Sequence, residues 1–119
     1  MKLAITGALG HIGSGLIHDI RSGEFDEVLL VDSLATQRYC SLFRLPRGVS
    51  FRFVEADILT ADLTAMFRGM DAVIHLAALT DAANSFERRK EVMEINLEGT
   101  RRVAQASLEN GCRLFFPST

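Results

Sequence analysis

The sequence predicts an α/β protein: a doubly wound parallel sheet of about five strands, order 3-2-1-4-5, with helices on both faces. Three observations carry this. Strand-length apolar runs alternate with segments of helical spacing along the whole chain. Two of the runs, Val28-Leu29-Leu30-Val31 and Val73-Ile74-His75-Leu76, are continuous, as in strands buried on both faces. A glycine-rich turn joins the first apolar run to the first helical segment.

Each element has its own reason. Lys2–Thr6 is a short apolar run that stops at Gly7. Segment 12–21 is a helix, with Ile12, Leu16 and Ile20 on one face and Gly23 as its stop. Glu27–Asp32 is the second strand. Segment 33–47 lacks a clear period, and Leu34, Tyr39, Leu42 and Phe43 suggest a loop with a short helix. Val49, Phe51 and Phe53 alternate with Ser50 and Arg52, the mark of a half-exposed strand at a sheet edge. Segment 61–68 is a short helix, with Leu63, Met66 and Phe67 apolar and Gly69 at its end. Segment 71–77 is the fourth strand. Segment 86–110 is a long helix with Val92, Ile95, Gly99, Val103 and Ala106 near one face, closed by Asn110-Gly111. Its charges read as a solvated face, with Lys90–Glu94 and Glu98–Arg102 as i,i+4 pairs. Segment 112–116 is the last strand, ended by Pro117.

Composition narrows the class. At 119 residues the chain makes one domain. Hydrophobic residues at 48% and charged residues at 24% exclude a disordered chain. Thirteen basic against fifteen acidic residues give a net charge of -2, which argues against a nucleic-acid or anionic-membrane partner. No run reaches the roughly 18 apolar residues of a membrane span. Glycines break what would be the apolar core of a leader, so a cytoplasmic protein is expected. Cys40 and Cys112 are far apart, with neither zinc-ligand spacing nor a disulfide framework. His11, His18 and His75 have no second ligand at metal spacing. His11 and His18 read as surface or turn residues, and His75 as a core histidine with a satisfied ring.

The chemistry sits in Thr6-Gly7-Ala8-Leu9-Gly10-His11-Ile12-Gly13. Gly7 permits the turn out of the strand. Gly10 lets a pyrophosphate reach the backbone, and Gly13 lets the helix pack on the sheet. The free N–H groups and the helix dipole favour an anion. Asp32 ends the next strand, about 20 residues on, where a carboxylate accepts from the adenosine ribose hydroxyls. It would repel a 2′-phosphate, so NAD is favoured over NADP, although Arg38 folded back would offset part of that repulsion. Asp32 capping a turn is the plainer alternative. Asp57 and Ile58 follow the third strand, where they would meet adenine, unless Asp57 caps a turn. Leu76-Ala77-Ala78 ends the fourth strand with small residues that let backbone face the cofactor. Asn96 is a polar side chain in the long helix, tied to neighbouring backbone or turned to solvent.

Together these residues resemble the N-terminal part of an extended short-chain dehydrogenase/reductase of the NAD-dependent epimerase/dehydratase type. The matching pieces are the glycine turn, Asp32, Asp57-Ile58, His75-Leu76-Ala77-Ala78, Asn96-x-x-Gly99-Thr100 and Phe115-Phe116-Pro117-Ser118-Thr119. The resemblance covers the whole chain. It implies a Rossmann domain over 1–119 that holds NAD tightly, and a nucleotide-sugar substrate oxidised by transient hydride transfer. It implies cofactor contacts from Gly7, Gly10, His11, Ile12 and Gly13, and from Asp32, Ser33, Asp57 and Ile58. Further contacts come from Leu76, Ala77, Ala78 and Asn96, and from Ser118 beside the nicotinamide. Thr119 takes the place of the catalytic hydroxyl. A homodimer through long helices is a further implication, with 86–110 as a candidate.

The family also uses a Tyr-x-x-x-Lys pair. Tyr39 is the only tyrosine here and is followed four residues on by Phe43, and the only lysines are Lys2 and Lys90. Thr80 stands where some sugar epimerases carry a lysine. The expectation is a fragment of a larger enzyme that does not turn over substrate by itself. Two alternatives stand beside it: a non-catalytic NAD-binding module, and a dehydrogenase of a steroid or other small alcohol. The apolar edge at 112–116 predicts self-association.

Overall fold

The computed structural model describes residues 1–35, 37–78 and 86–117. Its strands are β1 (Lys2–Thr6), β2 (Glu27–Asp32), β3 (Phe51–Glu55), β4 (Ala72–His75) and β5 (Arg113–Phe115). Its helices are α1 (His11–Asp19), α2 (Leu63–Met66) and α3 (Phe86–Glu109), with a 3-10 turn at Tyr39–Leu42. All strand pairs are parallel, and the order is β3-β2-β1-β4-β5. The order and direction agree with the sequence expectation.

β1 is central because its residues have apolar neighbours on both sides. Ile5 lies opposite Leu30 of β2 and Ile74 of β4. Alternation sends Leu3, Ile5, Val28 and Leu30 to one face, where Leu9, Ile17 and Ile20 cover them. It sends Ala4, Leu29, Val31 and Val73 to the other face, against Phe67, Val103 and Ala106. β3 lies at one edge. Its Phe51 and Phe53 are half-buried and its Arg52 is exposed, as the period-two pattern requires.

Element ends shift for local reasons. The first helix starts at His11 rather than Ile12, because the Ser14 amide already donates to the Gly10 carbonyl at 2.8 Å. It stops at Asp19, since Ile20 is extended. The helix expected over 61–68 shrinks to Leu63–Met66. The Asp62 carboxylate caps it by accepting from the Ala65 amide at 3.1 Å, and Phe67 already leaves helical geometry. Asn110 lies just outside α3. Its side chain donates to the Thr64 carbonyl at 2.9 Å and so ties the end of α3 to α2.

Two expectations about faces are overturned. Ile12 is 65% exposed, and the inward face of α1 is carried by Gly13 and Ile17 instead. Gly13, not Ile12, makes the close contact there, against the carbonyls of the glycine turn. On α3, Glu98 pairs with Arg101 at 2.6 Å rather than with Arg102. Arg102 reaches across to the carbonyls of Ile58 (3.1 Å) and Ala61 (2.9 Å), which leaves it no part in a solvated charge face.

Candidate functional site

Parallel strands bring the carboxyl ends of β1, β2 and β4 together, and the sheet order reverses around β1. That crevice is where doubly wound folds place their ligands. The register puts Thr6 opposite Val31 and also opposite His75. The segments after these three residues therefore emerge side by side.

The glycine turn is built from backbone. Gly7 adopts φ +68°, a left-handed conformation, and its amide donates to the Val31 carbonyl at 2.8 Å. A Cβ on Gly7 would stand 2.5 Å from the Ala77 nitrogen, so the end of β4 presses on this residue. A Cβ on Gly13 would stand 2.5 Å from the Ala8 carbonyl oxygen and 2.6 Å from that of Gly7. Gly10 differs: a Cβ there would meet only the Gly7 oxygen, at 3.3 Å. Gly10 is the N-cap of α1 and no side chain caps that end. His11 and Ile12 are exposed in the first turn. The opening amides of α1 thus lie at the mouth of the crevice, and an approaching anion meets N–H groups and the positive end of the helix dipole.

Asp32 is fixed rather than merely near. One carboxylate oxygen accepts from the Leu9 amide at 3.1 Å and the other from the Leu34 amide at 2.9 Å. It thereby joins the glycine turn to the end of β2, and each oxygen keeps acceptor capacity for a hydroxyl. Ser33 follows it, exposed at the same edge. Arg38 does fold back. Its guanidinium donates to Nδ1 of His11 at 3.1 Å, at the head of α1. Ser41 is buried, and its hydroxyl donates to the Leu9 carbonyl at 3.1 Å, which pins the 3-10 turn onto the glycine turn.

Asp57 closes an Asx turn: its carboxylate accepts from the Leu59 amide at 2.9 Å. This is the turn-capping alternative weighed in the sequence. Ile58 packs toward α3, where its Cδ1 would stand 2.8 Å from a Cβ on Gly99. Leu76 and Ala77 are half-buried against Gly7, and Ala78 is exposed. Asn96 is half-buried on α3, one turn before Gly99. Ser118, Thr119 and Thr80 lie outside the described residues.

His75 is 5% exposed, with Nδ1 2.7 Å from the Thr6 hydroxyl and Nε2 3.1 Å from that of Thr100. Its ring is satisfied, as the sequence suggests, and burial pushes it below the ordinary imidazole value. His18 is not a plain surface residue. Its Nδ1 lies 2.7 Å from the Ser14 carbonyl and its Nε2 3.0 Å from that of Phe43. Those two carbonyls hold it above the ordinary imidazole value.

Sequence reasoning named Thr6 and Thr100 within motifs but missed their bonds to His75, and it missed Ser41 and the reach of Arg102. Thr6 and Thr100 flank His75 only across the register and the helix–sheet packing. Ser41 lies in a segment with no period. Among the described residues, no group of three or more His, Cys, Asp or Glu could hold a metal ion. No helix among them is long and apolar enough to cross a membrane.

The strand order, the glycine turn and the acid at the end of β2 define a dinucleotide-binding domain of the doubly wound type. The chain belongs to the NAD dependent epimerase/dehydratase family, whose profile matches residues 3–119. It is 33% identical over 115 residues to the UDP-glucose 4-epimerase of Mycolicibacterium smegmatis, covering 95% of this chain and 36% of that one. It is 31% identical to the dTDP-glucose 4,6-dehydratase of Mycobacterium tuberculosis, covering 100% of this chain and 36% of the relative. Among solved structures, a UDP-glucose-4-epimerase from Stenotrophomonas maltophila, with bound NAD and formylated UDP-arabinopyranose, superposes with a TM-score of 0.84. That pair is 29% identical, over 100% of this chain and 37% of the other. The chain thus spans little more than a third of the length of these relatives.

Proposed function

We propose that this chain binds NAD at the carboxyl ends of β1, β2 and β4, as the cofactor-holding portion of an enzyme acting on a nucleotide-sugar. One observation carries the reading. The uncapped start of α1 opens beside Asp32, and the Leu9 amide ties the two together at 3.1 Å. Phosphate and ribose sites are therefore held in one rigid unit.

The residues present fit the cofactor. The amides of His11, Ile12 and Gly13 would receive the pyrophosphate, while Gly10, whose own amide donates to the Gly7 carbonyl at 3.1 Å, would leave room for it to approach. Asp32 accepts from the adenosine ribose hydroxyls, with Ser33 beside it. Ile58 and the Asp57 turn flank adenine, and Leu76, Ala77 and Ala78 offer low walls toward the nicotinamide end. Asn96 on α3 is carried over from the family pattern as a further contact. Ser118 and Thr119 are carried over from the family pattern, Thr119 as the hydroxyl that hydrogen-bonds the reacting sugar oxygen. When bound, NAD would supply a hydride acceptor. The chain's own residues orient it and exclude water from one side.

The sequence holds no Tyr-x-x-x-Lys pair. The chain alone is therefore expected to bind cofactor without turning over UDP-glucose or dTDP-glucose. Calorimetric titration with NAD and with NADP tests the site. The expected result is NAD binding with a clear preference over NADP. Equal affinity would mean that Arg38 cancels the Asp32 repulsion, and binding of neither would remove the proposal. Turnover of either sugar nucleotide by the purified chain would overturn its inactivity.

A further inference from the structure

A buried hydrogen-bond chain runs beneath the glycine turn and is not used by the cofactor contacts above. It crosses three elements: Thr6 at the end of β1, His75 at the end of β4 and Thr100 on α3. A fourth group joins it, because the Ala77 amide donates to the Thr6 hydroxyl oxygen at 3.4 Å. The Leu76 amide donates to the Thr6 carbonyl at 2.9 Å, so the end of β4 is tied to Thr6 twice.

The polarity of this chain follows from one atom. Thr6 is fully buried, and its oxygen already accepts from Ala77. Among the described hydrogen bonds, the acceptor open to its proton is Nδ1 of His75, at 2.7 Å. A hydroxyl donating into Nδ1 requires that nitrogen to be unprotonated. The ring proton is then on Nε2, aimed at the Thr100 oxygen 3.1 Å away. Reversing the direction would give the Thr6 oxygen two donors and leave its own buried proton without an acceptor, which is costly.

What the chain holds is the contact that matters for the turn. The Leu76–Ala77 backbone presses against Gly7 closely enough that a Cβ would stand 2.5 Å from the Ala77 nitrogen. A small rotation of that backbone would change the wall that faces the crevice.

We infer that His75 is a positioning residue of the cofactor cradle: a neutral imidazole protonated on Nε2 that sets the Thr6 hydroxyl to hold the Ala77 amide against Gly7. The cofactor part of this inference rests on the NAD reading above. His75 is buried, with its two ring nitrogens on the hydroxyls of Thr6 and Thr100. It acts through Thr6 and Ala77, and it links their placement to α3 through Thr100.

Nitrogen-15 spectra of the His75 imidazole in the whole chain test the polarity directly. The expected signature is an unprotonated Nδ1 and a protonated Nε2 at neutral pH. A ring protonated on Nδ1 would overturn the inference. Thr6→Val keeps the side-chain shape and removes the relay. It is expected to shift the Ala77 amide resonance and to weaken NAD about tenfold. Thr6→Ser is expected to restore both, which a general packing defect would not do. An unmoved Ala77 amide with unchanged NAD affinity in Thr6→Val would also overturn it. If Thr6→Val does not fold, the wild-type ring spectrum and the Thr6→Ser amide still decide. If the wild-type chain binds no NAD, the cradle reading fails with its cofactor consequence, and the tautomer decides the relay separately.

Discussion

The two long helices each make a close contact through a glycine, and the contacts differ. α1 approaches through Gly13, and the atoms facing it are the backbone carbonyl oxygens of Ala8 and Gly7. α3 approaches through Gly99, and the atom facing it is the tip of the Ile58 side chain. Backbone cannot yield, whereas a side-chain tip can rotate. Both positions are glycine at a close contact, yet only one is irreplaceable on steric grounds. The histidines divide in the same way. His18, on the α1 side, bridges two carbonyls and favours charge. His75, on the α3 side, lies buried between two hydroxyls and favours neutrality.

Gly13→Ala puts the sharpest test on this contrast. It should destabilise the chain by about 3 kcal/mol or more, since neither carbonyl can retreat. A denaturation midpoint close to wild type would break the comparison. Gly10→Ala should separate binding from folding. Stability should change by less than about 1 kcal/mol, the range of an N-cap exchange. NAD affinity should fall at least about tenfold, because the methyl stands where the pyrophosphate approaches. Calorimetry on a demonstrably folded variant checks it, and unchanged affinity would count against the cradle.

The pH response should differ between the two sides. Against an ordinary value of 6.5, the raised His18 group contributes stability in full below that pH. The contribution disappears as pH rises through its folded value. The lowered His75 group contributes above pH 6.5 and loses its contribution as pH falls through its folded value. Melting temperatures of His18→Gln and wild type across pH 5 to 9 should therefore converge on the alkaline side and part on the acid side. The opposite pattern would mean that His18 is not held by the Ser14 and Phe43 carbonyls.

Smaller effects sharpen the α3 side. Ser107 is buried on α3, and its hydroxyl has no partner among the described residues. Ser107→Ala should stabilise by about 0.5–1 kcal/mol, from relieved desolvation and better helix propensity. A loss of stability would reveal a partner for that hydroxyl. Gly99→Ala should be nearly neutral, within about 1 kcal/mol, because gained helix propensity offsets the displaced Ile58 tip. A loss as large as that of Gly13→Ala would show that both helices are equally locked.

Much of this was readable in the residues. The two continuous apolar runs placed β2 and β4 in the interior, and the alternation at Phe51 and Phe53 placed β3 at an edge. The glycine turn and Asp32 were legible because their chemistry depends on local backbone and a fixed spacing. What was hidden depends on packing. Ile12 kept the period of an inward face but lies beside a glycine that makes the contact. Arg102 had a partner at helical spacing and chose carbonyls of another segment. The Thr6–His75–Thr100 relay needs strand register and a helix position together, and neither shows in a single stretch of sequence.

The unequal surroundings of the three turn glycines carry a consequence for descent. A lineage that gave up its dinucleotide would still be held to glycine at 7 and 13, since those positions answer to the fold. Position 10 meets only one oxygen, at 3.3 Å, and would be free to drift toward alanine or serine. Among distant sequences with this turn, the middle glycine is therefore the letter that separates domains still selected for binding from domains that keep only the shape.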